Sequence, residues 1–220
     1  MNKQVIFCAL IACVLGSATA WAADTAEMQV KGRIYPGACL TTFTGDGTID
    51  FGVIPASRLT AGQYTRLPAK SIVLALSCDA PTRVALKFSD NRTASRVTGI
   101  QTDTSSPTQN AHNFGLGTVN GKKVGGYAIS IAPGTTVDGK AATRLWGDIG
   151  GNSWNSGFYW VTNDDLRYFS FNNDASMTPG ALTLLQVKFN VHVGLNKPEN
   201  LDLQQDVPLD GSTTIEVVYL

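Results

Sequence analysis

The chain has 220 residues, 43% of them hydrophobic and only 15% charged, with 17 Lys and Arg balanced by 17 Asp and Glu. That even balance gives no sign of a nucleic-acid binder, which would call for a concentrated basic surface. The size allows one large core or two small ones, and 22 glycines with 9 prolines point to many turns.

Residues 1–22 read as a secretory signal peptide. Lys3 supplies the positive charge, Val5 to Leu15 is almost continuously apolar, and Ala20-Trp21-Ala22 offers a small-x-small cleavage pattern. The apolar run is shorter than the roughly 20 residues needed to cross a bilayer. Leu10-Ile11-Ala12-Cys13 fits the pattern before a lipidated bacterial cysteine and is the alternative reading. Export removes Cys8 and Cys13, leaving Cys39 and Cys78 as an even pair, which in an oxidising compartment reads as one disulfide. No metal site is expected, because His112 and His192 stand outside any ligand-spaced cluster.

Met28, Val30 and Ile34 alternate with polar residues and predict a first strand ending at Pro36-Gly37. Thr48 to Ile54 alternates in the same way and is stopped by Pro55. Ser71 to Ser77 and Arg83 to Phe88 predict two further strands. Residues 89–113 are polar and read as a mobile surface loop. Strands resume near Phe114, Asn120-Gly121 marks a two-residue hairpin turn, and Tyr127 to Ile131 alternates again. Leu182 to Leu195 is the longest strand pattern. Thr213, Ile215, Val217 and Tyr219 close the chain on a strand with one buried face. With about nine strands and no helical spacing, the expected fold is all-β, an antiparallel sandwich.

Between Leu145 and Asn173 the aromatic residues Trp146, Trp154 and Trp160 mix with Asn and Gly, so that stretch is a candidate glycan-binding segment. The plainer reading is that several of its rings fill the core. Asp164-Asp165 reads as a solvated turn rather than paired catalytic carboxylates, since neighbours on a strand point apart. No Gly-x-Ser-x-Gly occurs, both histidines read as surface residues, and neither an enzyme nor a cofactor is expected.

The order of Lys31-Gly32-Arg33-Ile34, Cys39, Ile49-Asp50-Phe51-Gly52, Ile72 to Cys78, Gly126 to Ile131 and a penultimate Tyr219 resembles chaperone–usher fimbrial subunits. A nearer resemblance is to an exported bacterial family labelled beta-fimbriae-like and catalogued as a domain of unknown function. It rests on Ser77-Cys78-Asp79-Ala80, Asp90-Asn91-Arg92, Phe114-Gly115-Leu116-Gly117 and Asp206 to Ser212. The resemblance implies an immunoglobulin-like, pilin-like sandwich over residues 31–220 that lacks one strand. It further implies a groove bordered by Ile215, Val217 and Tyr219, and a donor extension over residues 23–30 carrying Ala26, Met28 and Val30. The implied partners are a periplasmic fimbrial chaperone, an outer-membrane usher, neighbouring fimbrial subunits and a host or surface glycan. The implied place is the periplasm and then a surface fimbrium. The extension is short and diluted by Asp24, Thr25 and Glu27, and the chain is long for a shaft subunit, which points to a tip, minor or terminating role. The alternative expectation is a self-contained periplasmic or secreted carbohydrate-binding sandwich.

Overall fold

A computed structural model describes residues 27–32, 38–100, 102–148, 150 and 153–220. The expected signal peptide, Ala26 and Ile34 lie outside the described residues. Residues 27–32 carry no regular structure, with Met28 and Val30 87% and 90% exposed. The strand expected from Met28 therefore does not form over its described part.

Fourteen strands are present among the described residues: β1 (Cys39–Phe43), β2 (Thr65–Arg66), β3 (Lys70–Asp90), β4 (Phe114–Gly115), β5 (Thr118–Val119), β6 (Lys122–Lys123), β7 (Gly125–Ile131), β8 (Thr136–Val137), β9 (Lys140–Ala141), β10 (Thr143–Asp148), β11 (Trp154–Ser156), β12 (Arg167–Asn172), β13 (Ala181–Leu195) and β14 (Thr213–Tyr219). Every pairing between them is antiparallel. The two strands expected at Ser71 to Ser77 and Arg83 to Phe88 are halves of the single strand β3. Its first half pairs with β1 and β13, and its second half pairs with β12 and β14. Between them β3 bulges, as β13 steps from Leu182↔Thr82 to Leu184↔Ser77. Pro81, which lacks a ladder donor, falls in that bulge.

One curled sheet thus makes both layers of an all-β sandwich: β4-β7-β13-β3-β1 on one side, β11-β10-β12-β3-β14 on the other. Phe88, on the second half of β3, bridges them. Its ring meets Phe169 and Phe189 edge-on at centroid separations of 5.8 and 5.7 Å. Phe169 and Phe171 are fully buried, so these rings of the aromatic segment fill the core.

The polar stretch 89–113 is not mobile decoration. It folds against the outer face of β7 and β13, burying Ile100, Thr102, Ser106 and Asn113. Gly126 and Gly194 leave room for it, since a Cβ at either position would come within 3.1 to 3.2 Å of the Ile100 side chain. Asn120 and Gly121 both adopt positive φ (48° and 75°), the mirror-image turn expected there, and connect β5 to β6.

Candidate functional site

β14 pairs with β3 from Thr213↔Asp90 to Tyr219↔Val84, and its other edge has no ladder partner among the described residues. In an antiparallel pair, alternate residues direct their N–H and C=O away from the partner strand. A row of backbone donors and acceptors therefore lines the free side of β14. Across from it runs the segment after β1. In the strand expected at Thr48 to Ile54, Ile49, Phe51 and Ile54 pack against the core, but the period of two breaks at Gly52, whose φ is 71°, and Val53 is 97% exposed. This segment forms no ladder among the described residues.

Between the free edge of β14 and this segment lies an apolar cleft of about 210 Å³. One wall is Phe43, Ile49 and Phe51; the other is Leu209, Thr213 and Ile215; the floor is Ile72, Ile129, Phe189 and Val191. The period of two on β7 and β13 turns Ile129, Phe189 and Val191 to one face, which is why a continuous apolar floor exists. Tyr127 reaches across to Thr213, with the two hydroxyl oxygens 2.6 Å apart, and burial pushes its phenol well above the usual range.

The three residues expected at this border are placed differently. Ile215 stands on the cleft wall, whereas Val217 packs against the core. Tyr219 is half-exposed, and its hydroxyl accepts a 3.1 Å hydrogen bond from the Cys39 backbone N–H. Cys39 and Cys78 form the expected disulfide and are direct cross-strand partners on β1 and β3. Leu116, Tyr127 and Leu209 also line the cleft, and nothing in their local spacing announces it.

Three of the sequence stretches that carried the family resemblance meet at the amino-terminal end of β14. Arg92 donates two 2.9 Å hydrogen bonds to the Asp210 carboxylate, from Nε and Nη2. The Asn91 N–H donates to the Ser212 carbonyl, and the Asp210 N–H to the Leu116 carbonyl. Asp90 has no exposed side-chain surface and accepts from Arg96 Nε (2.6 Å), Gly115 N–H (3.0 Å) and Arg92 N–H (2.8 Å). Asp90→Asn replaces one charged acceptor with a donor facing donors. It is expected to cost about 2–3 kcal/mol, read as a lower urea midpoint at unchanged slope.

The three tryptophans of the expected glycan surface are placed apart. Trp160 is buried, 4% exposed, bridged to Ser130 of β7 and packed against the His192 ring. Trp146 pairs with Asn155 and Gly147 with Trp154, so Trp146 and Trp154 occupy opposite faces of the β10–β11 hairpin. Three rings on different faces make no common platform. Asp164 and Asp165 do form a turn, in which Asp164 accepts the Leu166 N–H and Asp165 pairs with Lys87.

Both histidines, expected at the surface, are covered: His112 is 8% exposed and the His192 side chain 12%. Burial holds each below the ordinary histidine value of 6.5. Their neutral forms favour the fold, so stability is full above 6.5 and falls as acid protonates the unfolded chain in preference. Denaturant midpoints are expected to decline from pH 7.5 to 5, and less steeply in His112→Gln.

A sequence model for the family described as "Protein of unknown function (DUF1120)" matches residues 28–140. The chain is also similar to "Protein GltF" of Escherichia coli (strain K12), 29% identical over 97% of this chain and 95% of that protein. It is similar as well to "Uncharacterized protein YhcF" of the same strain, 26% identical over 92% of this chain and 93% of that protein.

Proposed function

The chain belongs to the DUF1120 family, whose function is unknown, and from that starting point we propose that it is a structural or minor subunit of a bacterial chaperone–usher fimbria. The observation carrying this reading is the unpaired edge of β14 beside an apolar cleft. A strand laid there gains main-chain hydrogen bonds from β14, and its alternate side chains enter the cleft. A periplasmic chaperone occupies the cleft first and the extension of a neighbouring subunit replaces it, an outer-membrane usher directing the exchange. In its own turn this chain donates residues 23–30, through Ala26, Met28 and Val30.

The test is co-expression in the periplasm with a fimbrial chaperone. The chain is expected to be recovered as a one-to-one complex and to be degraded without it. Ile215→Arg, which places a charge on the cleft wall, is expected to abolish the complex. A chain that stays soluble and monomeric alone and ignores the chaperone would instead be a self-contained binding sandwich.

A further inference from the structure

On the face of β7 and β13 opposite the core, three polar side chains stand in a line. Ile129, Ile131, Phe189 and Val191 point into the core, so the intervening Ser130, Asn190 and His192 point the other way. The pairs Asn190↔Ser130 and His192↔Ala128 make Ser130 and His192 diagonal neighbours on that face. Ser130 Oγ lies 3.0 Å from His192 Nε2, and His192 Nδ1 lies 3.4 Å from Asp103 Oδ2. Asp103 arrives from the folded-over stretch 89–113, where the Ser105 N–H and hydroxyl both bond its Oδ1 and leave Oδ2 for the imidazole. The Trp160 ring covers His192 at a centroid separation of 5.0 Å. Ser130 and His192 line a cleft of about 310 Å³ together with Arg144, Tyr159 and Asn190.

Each position matches one part of nucleophilic acyl transfer. A serine hydroxyl is a weak nucleophile until a base within hydrogen-bond reach accepts its proton. Burial favours the neutral imidazole that such a base must be. A carboxylate on the far nitrogen fixes the tautomer that leaves Nε2 free to accept. Arg144 spends one guanidinium hydrogen bond on the Ile131 carbonyl, at 2.6 Å, and lies over the Tyr159 ring. As a lining residue, its guanidinium brings to this cleft the positive charge that stabilises an oxyanion.

We propose that Ser130, His192 and Asp103 act as nucleophile, base and positioning carboxylate, and that the cleft hydrolyses small acyl esters. Ser130 Oγ bonds to the ester carbonyl carbon while its proton passes to His192 Nε2, and the carbonyl electron pair moves onto oxygen beside Arg144. Collapse breaks the bond to the alcohol, which leaves with the proton from Nε2. Water, deprotonated by His192, then attacks the acyl-serine and releases the carboxylic acid, restoring Ser130. The volume lies at the low end of ligand pockets, which sets the acyl group as small.

The same three groups could merely hold the 89–113 stretch on the sheet, and the reactivity of Ser130 separates the two roles. The purified full-length chain is treated with a fluorophosphonate probe, the adduct is mapped by mass spectrometry, and p-nitrophenyl acetate hydrolysis is followed alongside. The expected result is an adduct on Ser130 and hydrolysis that Ser130→Ala abolishes and His192→Gln slows by about 100-fold or more. Asp103→Ala is expected to slow labelling about tenfold or more, with partial rescue in Asp103→Glu. Chain that shows its near-ultraviolet circular dichroism but carries no adduct on Ser130 overturns the proposal. So does labelling of Ser130 at an undiminished rate in His192→Gln.

Discussion

A chain in which residues 23–30 are repeated after Leu220 through a short flexible linker is expected to unfold about 10–20 °C above the natural one. β14 ends at Tyr219, so a linker of a few residues brings the added segment back along its free edge as the second strand of a hairpin. Met28 and Val30, 87% and 90% exposed in their own segment, would enter the cleft floored by Ile129, Phe189 and Val191. Burying two such side chains stabilises by roughly 5 kcal/mol together. At about 2–4 °C per kcal/mol for a domain of this size, that gives the stated shift. The same repeat with Met28→Lys and Val30→Lys offers the backbone but not the apolar face and is expected to give little or none of it. Thermal unfolding of the three chains, followed by circular dichroism, decides the point. No shift with the natural segment would mean that the cleft beside β14 does not take this extension as its strand.

Replacing both Cys39 and Cys78 by alanine is expected to cost about 4 kcal/mol, roughly 8–16 °C in midpoint. The bond spans a sequence separation of 39, and releasing a loop of that length restores about this much freedom to the unfolded chain. The loss should be felt locally as well. Among the described residues β1 pairs with β3 alone, through five residues, and the disulfide lies at the first of those pairs. Beyond β1 the segment carrying Ile49 and Phe51 has no ladder of its own. Without the bond, the wall formed by Phe43, Ile49 and Phe51 is anchored by strand pairing alone. Chaperone capture is therefore expected to fall in the double alanine variant even at temperatures where circular dichroism still shows it folded. A variant that loses stability but keeps full capture would show that this wall does not contribute to strand binding.

The residues alone established what depends on neighbours along the chain. Alternation in Tyr127 to Ile131, Leu182 to Leu195 and Thr213 to Tyr219 identified strands, because the pleat repeats every two residues whatever the strand is paired with. Asn120-Gly121 identified its turn because few residues accept positive φ. Cys39 and Cys78 identified their bond because the other two cysteines, Cys8 and Cys13, fall in the stretch that reads as a signal peptide. Pairing was decided only by the tertiary structure, since a ladder depends on residues far away in the sequence. Thr48 to Ile54 has a strand's alternation of residue types yet no ladder among the described residues, and residues 71–77 and 83–88 are one bulged strand serving both layers. The cleft likewise brings Leu209 to Phe43 and Phe51, and the clasp of Asp90 and Arg92 on Gly115 and Asp210 joins residues separated by 25 and 118 positions. His192 lay on the outward register its sequence position implied, but whether that face met water or the 89–113 stretch was settled by packing alone. The same period of two describes a solvated face and a covered one.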